Sequence, residues 1–565
     1  MIHHDGSALY VPDQNPRLGS TVDLWLRTAP GTTSVHVRSV EDGEPRFTEA
    51  VPSPRGNEIW WRAAVHVRNP VTRYRFLVDG DWYTATGRAG HDVPDATDFR
   101  LVTHPAPPPW TREAIVYQIF PDRFDRAGSA PAPDWAEPAD WHEPVRHSST
   151  QWYGGDLDGV TRHLDHIQDL GADTVYLTPF FPARSNHRYD AASFDHVDPL
   201  LGGDRALRRL ADALHTRGMR LIGDLTTNHT GDTHPWFAGP LAEPDLYYTT
   251  PDGGFETWMG VPSLPKLNWG SPRLRERLVT APDSVVKRWL RYLDGWRIDV
   301  ANMTGRRGAD DLTHTVSRLL AREIRAVRPD ALLLAEHAHG AGGDLDVDGW
   351  QGTMNYAGFL RPLWTWLHGP SFDPPDFIGV PGGIPRRDGT AVVRTMRAVM
   401  ATMSWRSWTH SWNLLGSHDT ARIHTVTGDP ARSEVAMGLL ATLPGVPMLF
   451  AGDEFGLHGT NGELSRTPVP WGASPLRWYG DLLALRRKHA ALRNGGLRFA
   501  HVDADRIVFW RETADDRMLV LAARAPGAPV PLPLPADATN LYGGASVPDA
   551  LRGDGPTFQV WSVPA

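Results

Sequence analysis

Hydrophobic positions change their period twice along the chain. Up to about residue 103 they alternate with polar ones in short runs rich in β-branched and aromatic residues, SVHVRSV (34–40), IWWRAAVHV (59–67) and TRYRFLV (72–78). Asp79-Gly80-Asp81 then supplies a hairpin turn into WYTATG. This predicts an N-terminal β-sandwich over 1–103, closed by the proline-rich connector HPAPPPW (104–110). From Ala114 apolar strand-like runs alternate with amphipathic helices. The predicted strands are VYQIF (116–120), TVYLT (174–178), RLIGDL (220–225), GWRID (295–299), LLLAE (332–336), GTMNY (352–356), WNLLG (412–416) and MLFAG (448–452). The helices between them include 160–171, 205–218 and 315–327, with apolar residues at three- and four-residue spacing and Gly171 and Gly218 as stops. Alternation of this kind makes an α/β fold with a parallel sheet, and eight strands match a (β/α)8 TIM barrel over 110–491. The stretch 228–271 is too long for a simple connection, so it predicts a subdomain inserted after the third strand, where it would form a wall of the cleft. Short β runs return over 495–565 (RIVFWRE, MLVLAAR, FQVWSV) and predict a C-terminal β-sandwich.

Composition narrows the class. A chain of 565 residues is too long for one compact domain, and 41% hydrophobic with 22% charged residues is the balance of a soluble globular protein. No apolar run is long enough to span a membrane, and MIHHDGSALYVPDQ does not read as an export signal. The absence of cysteine excludes disulfides and thiolate metal sites, and agrees with the cytoplasmic location expected. A formal charge of −9 with no basic patch argues against a nucleic-acid partner. The 23 tryptophans offer flat rings that stack on sugars, although most such rings fill cores.

Three acids carry the candidate chemistry. Asp299, Glu336 and Asp419 each follow an apolar run, in GWRIDVAN, LLLAEH and NLLGSHDT. One such carboxylate is more often a helix cap or an ion-pair partner. Three at the ends of barrel strands converge on one face, where catalytic groups of this fold collect. Cleavage of a glycosidic bond needs such a set, because one group protonates the leaving oxygen while another attacks or shields the sugar carbon. Arg297 lies two residues before Asp299, so on a strand both side chains share a face and the fixed cation keeps the acid ionised.

In order, YQIFPDRF (117–124), GGDLDGV (154–160), DLTTNH (224–229), GWRIDVAN, LLLAEH, NLLGSHDT and AGDEFGL (451–457) closely resemble the motifs of the alpha-amylase superfamily, glycoside hydrolase family 13. The N-terminal sandwich, similar to a carbohydrate-binding module, together with NHTGDTHPWF (228–237) and LPKLN (264–268), resembles the neopullulanase, cyclomaltodextrinase and maltogenic amylase branch. The resemblance implies that Asp299 is the nucleophile, Glu336 the general acid and base, and Asp419 a carboxylate gripping sugar hydroxyls. It implies His187, Tyr189, His229, Arg297, His418 and Arg422 as substrate-binding residues, whereas Asp224, Asn228 and Asp190 read as structural hydrogen-bonding groups. The substrate implied is a short malto-oligosaccharide, cyclic glucan or small branched α-glucan, and the assembly a homodimer.

The chain departs from the branch in three places. Met303 stands where an acid usually follows the nucleophile, and Ala338 where a tryptophan usually follows the general acid, leaving His337 and His339 as replacement hydrogen-bonding groups. Asp125 to Ser129 offers few oxygen ligands, so calcium is not predicted and no cofactor is expected. Two other readings stand beside hydrolysis: a transglycosylase using the same residues, and a non-catalytic glucan-binding protein.

Overall fold

The computed structural model describes residues 1–128, 130–530, 532, 534–544, 551 and 553–564, so Ser129 and parts of the C-terminal stretch lie outside the described residues. Seven parallel strands form its centre: β1 (Val116–Ile119), β2 (Thr174–Leu177), β3 (Arg220–Thr226), β4 (Gly295–Asp299), β5 (Leu332–Ala335), β6 (Trp412–Leu414) and β7 (Val446–Phe450). They pair in the order β5-β4-β3-β2-β1-β7-β6, and the sheet curls until its edge strands approach each other. Single parallel bridges from Ala335 to Thr353 and from Met354 to Trp412 close the (β/α)8 barrel. The strand expected over 352–356 is reduced to these bridges. Asn355 ends it, because its side-chain oxygen accepts from the Gly358 N–H at 3.0 Å and so starts the helical turn Tyr356–Leu360. β7 begins two residues before its expected start and ends where Gly452, at φ 98°, turns the chain.

The barrel helices form where apolar residues recur on one face. The helix expected over 160–171 is two helices, α1 (Leu157–Arg162) and α2 (Leu164–Asp169), broken at His163. His163 leaves the helical path to meet the Asp125 carboxylate at 2.9 Å and to stack on Trp471 at 3.5 Å between ring centres. In α3 (Gly203–Thr216) Ala206, Leu207, Leu210, Ala211 and Leu214 are buried, and each fully buried leucine contributes roughly 1.5–3 kcal/mol. α4 (Thr313–Val327) buries Val316, Leu320 and Ile324 in the same way. Gly218, at φ 71°, follows α3 in a conformation that only glycine adopts readily.

Residues 228–271 leave the barrel after β3 and return through isolated antiparallel bridges, His229 to Lys266, Tyr247 to Leu267, Thr249 to Phe255 and Thr257 to Pro265. The N-terminal stretch forms a four-stranded and a six-stranded sheet around a core that includes Val22, Leu24, Val37, Trp61, Val65 and Phe76. The C-terminal stretch, read from sequence as a sandwich, gives a five-stranded antiparallel sheet among the described residues. One face packs on α5 (Pro430–Thr442), where a Cβ on Gly438 would lie 2.4 Å from the Phe558 ring. Val530, Ala538 and Leu551 cluster with the other face. No described helix is long and apolar enough to cross a membrane.

Candidate active site

The ends of β3, β4 and β5 bring three carboxyl groups onto one buried guanidinium. Arg297, on β4, is fully buried, and its Nη1 donates to both oxygens of Asp224 at 2.8 and 2.9 Å and to Asp299 Oδ1 at 3.0 Å. Its Nη2 lies 2.9 Å from Glu336 Oε1. The period-two register of a strand explains the pairing of Arg297 with Asp299. Parallel register sets Asp224 beside Arg297 on the neighbouring strand. Glu336 follows the last residue of β5, and its Oε2 accepts the Val300 N–H at 2.8 Å.

The two oxygens of Asp299 differ. Oδ1 takes the Arg297 bond, whereas Oδ2 is buried without a hydrogen-bond partner and lies 4.0 Å from His229 Nε2, which also has none. Burial raises the Asp299 pKa well above the usual carboxylate range, the Glu336 charge adds to the rise, and Arg297 opposes it. Asp224 is raised to about 6 by burial, against Arg297 and a 2.6 Å bond from the Tyr176 hydroxyl. His229 is held neutral, its pKa lowered to about 3 by burial and then by the Lys266 charge.

Asp419 approaches from the segment after β6. Its Oδ2 lies 3.1 Å from His418 Nε2 and its Oδ1 3.5 Å from Arg466 Nη2, and the side chain is 39% exposed to the cleft. Its pKa is also raised, by displacement of water first, with Arg466 and Arg297 opposing. Tyr189 links this group to the first. Its hydroxyl donates to Asp224 Oδ2 at 2.8 Å and meets His418 Nε2 at 2.7 Å, and its ring stacks on His418 at 5.6 Å. The His187 ring lies 5.8 Å from that of Tyr189, with 28° between their planes, and its Nδ1 accepts the Tyr189 N–H at 3.1 Å. Burial, then Arg466, lowers the pKa of both His187 and His418 well below the usual range.

Thus Asp299, Glu336, Asp419, His187, Tyr189, His229, Arg297 and His418 gather at one end of the barrel. Arg422 does not join them. Its guanidinium is buried behind the cluster, with Nη1 donating to Asp453 at 2.8 Å and Nε to the Ser465 carbonyl at 2.9 Å, over the Phe450 ring. Arg466 is the cation that faces Asp419 instead, its Nε fixed on the His418 carbonyl at 2.9 Å. It sits in ELSRTPVPW, beyond the last motif, where no pattern in the sequence singled it out. Lys266, in LPKLN, was also given no role. It is buried, bonds Asn228 Oδ1 and the Met303 carbonyl, and its pKa falls to about 8 through burial.

Of the three departures, Met303 is half-buried beside Lys266, and Ala338 is half-buried. His337 is buried with Nε2 on Asp344 Oδ2 at 2.9 Å, whereas His339 is exposed. Of the two expected as replacement hydrogen-bonding groups, His337 is therefore already engaged through Nε2. Asp156 accepts the backbone N–H groups of Gly128 at 2.7 Å and Gly159 at 2.7 Å.

The alpha-amylase catalytic-domain model matches residues 118–254 and 387–518. The chain is 32% identical over 443 residues to a cyclomaltodextrinase of a Bacillus species, covering 74% of this chain and 73% of that one. It is 31% identical over 475 residues to neopullulanase 2 of Thermoactinomyces vulgaris, covering 79% and 74%. Among solved structures, the ligand-free cyclic alpha-maltosyl-(1→6)-maltose hydrolase of Arthrobacter globiformis superposes with a TM-score of 0.69 at 29% identity, over 81% of this chain and 100% of that one. A cyclomaltodextrinase superposes with a TM-score of 0.73 at 26% identity over 99% of both chains.

Proposed function

The chain belongs to the alpha-amylase family, and on that premise we propose that it is a retaining glycoside hydrolase acting on α-glucosidic bonds of short malto-oligosaccharides, cyclic glucans or small branched α-glucans. The observation that carries the proposal is the unpaired Oδ2 of Asp299, whose Oδ1 is held by the Arg297 that also contacts Glu336. In this reading Asp299 Oδ2 attacks the anomeric carbon while protonated Glu336 gives its proton to the departing glycosidic oxygen, which leaves as a sugar hydroxyl. The ester to Asp299 is then opened by water, whose proton returns to Glu336. Two neighbouring buried carboxyls cannot both be charged cheaply, so the site favours one carboxylate and one acid. Arg297 compensates whichever carboxyl is charged, 3.0 Å from Asp299 Oδ1 and 2.9 Å from Glu336 Oε1, and in this reading the charge sits on the attacking Asp299.

The remaining groups act on the sugar in this proposal. His229 Nε2 and His418 Nε2 supply neutral N–H donors, Asp419 accepts ring hydroxyls, and Tyr189 with His187 forms a flat wall for stacking. Transfer to a sugar hydroxyl in place of water uses the same residues. We extend the proposal to a homodimer in which the N-terminal sheets help enclose small substrates.

Incubation with maltotriose, pullulan, cyclodextrins and isomalto-oligosaccharides, followed by product analysis and NMR of the first anomer released, tests all of this. An α-configured first product supports double displacement. A β-configured one overturns it, and longer products than the substrate assign the chain to transfer. No turnover of any α-glucan would rule out the enzymatic reading.

A further inference from the structure

The turn after Asp299 is strained. Val300, a β-branched residue, has φ 44°, a left-handed conformation that is strained for such a side chain and persists only where its surroundings enforce it. That conformation aims the Val300 N–H at Glu336 Oε2, 2.8 Å away. Something must hold the turn against relaxation, and the contacts that do so reach back to the loop carrying Glu336.

Arg306 closes the turn from below. Its Nη1 donates to the Asn302 carbonyl at 2.9 Å and to Asp344 Oδ2 at 2.9 Å, and its Nη2 to Asp344 Oδ1 at 2.6 Å. Asp344 lies on the segment that follows Glu336, and its second partner is His337, the residue next to Glu336, at 2.9 Å. His314 of α4 adds a 3.2 Å contact to Asp344 Oδ1. The bidentate guanidinium pair fixes orientation as well as distance, which a single hydrogen bond does not. A closed circuit results: Asp299, Val300, Asn302, Arg306, Asp344, His337, Glu336 and back to Val300.

We propose that Arg306, Asp344 and His337 are positioning residues that hold the strained turn and thereby fix the proton-donating carboxyl of Glu336 over the glycosidic oxygen. The inference rests on the role given to Glu336 above. None of the three touches the reacting atoms. They act through the Val300 N–H, whose direction decides where Glu336 points, and through the peptide that joins His337 to Glu336.

The test separates proton donation from nucleophilic attack. A glucosidic bond needs its leaving oxygen protonated, whereas an α-maltosyl fluoride expels fluoride without a proton donor, so its kcat/KM reports attack by Asp299 alone. For Asp344→Asn, kcat on maltotriose should fall on the order of 10- to 100-fold, the loss that follows a misplacement of about 1 Å, with KM changed less than about twofold. The kcat/KM for α-maltosyl fluoride should stay within about threefold of the parent, and the basic limb of the maltotriose pH profile should move, because the donor's surroundings change. Equal losses on both substrates would show a general structural defect and overturn the proposal, as would unchanged kcat on maltotriose. Arg306→Gln breaks the same circuit at a side chain 34% exposed and serves if Asp344→Asn does not fold. Glu336→Gln, measured in parallel, must itself lose maltotriose hydrolysis while retaining the fluoride. If it does not, the role of Glu336 is wrong independently of the clamp.

Discussion

Arg297→Met removes one cation from among three buried carboxyls and leaves the volume nearly filled. The side chain of Arg297 is 0% exposed, and its partners Asp224, Asp299 and Glu336 are 0%, 8% and 15% exposed, so water cannot replace it. Removing one member of a buried ion pair destabilises by about 3–5 kcal/mol. At 1.36 kcal/mol per pK unit that equals roughly two to four units of upward shift, shared among the three carboxyls. The sign follows from proton binding. Without Arg297 the folded carboxyls hold protons more tightly than the unfolded ones, so stability falls as pH rises. Asp224 already titrates at about 6 with the cation present. The deficit should therefore be nearly complete at about pH 8 and shrink to about 1 kcal/mol or less at about pH 5, where Asp224 and Asp299 are largely protonated with or without the cation. Urea unfolding followed by tryptophan fluorescence at both pH values measures it, with midpoints compared because a chain of several sheets need not unfold in two states. A deficit as large at pH 5 as at pH 8 would refute the reasoning and assign the loss to packing.

Other outcomes follow from the same geometry. Asp299→Asn should lower kcat on maltotriose by at least about three orders of magnitude, because a carboxamide cannot form the covalent ester; steady-state assays check this. In Glu336→Gln the acidic limb of α-maltosyl fluoride turnover should stay where it lies in the parent, because Glu336 is already neutral when Asp299 attacks; fluoride release measures it, and a displaced limb would contradict that assignment. Ala338→Trp should change the ratio of kcat/KM between α-1,4 and α-1,6 linked substrates, since a stacking ring is worth about 1 kcal/mol; an unchanged ratio would show that position 338 does not line the cleft. Sedimentation should give a dimer, and a strict monomer would contradict the assembly proposed.

The barrel was legible because buried parallel strands are apolar on both faces and stand out as runs, with acids marking where they end. What failed depended on partners distant in sequence. The run 352–356 looks like its neighbours, yet only Thr353 and Met354 bridge, since Asn355 finds Gly358 first. The break at His163 is set by Asp125 and Trp471, neither of which a helical period can register. The resemblance implied Arg422 and nothing in the sequence marked Arg466, yet their partners reverse the two: Asp453 and the Ser465 carbonyl hold Arg422 behind the cluster, while the His418 carbonyl turns Arg466 towards Asp419. The carboxylate cluster was anticipated because strand register and parallel pairing are local rules. The strained turn at Val300 was not, because backbone conformation of this kind leaves no mark in composition.

The pair of bridges that closes the barrel joins the strand leading to Glu336 with the strand leading to Asp419. Every other junction is a regular ladder, whereas here the barrel is closed through the short segment 351–355, whose backbone bonds run to Leu333 and Ala335 on one side and to Trp412 on the other. Parting there draws the acid away from the sugar-gripping carboxylate while helices and sheets elsewhere stay intact. Were that seam the first to part on warming, heat inactivation would precede melting, through Thr353 and Met354, which take no part in the chemistry.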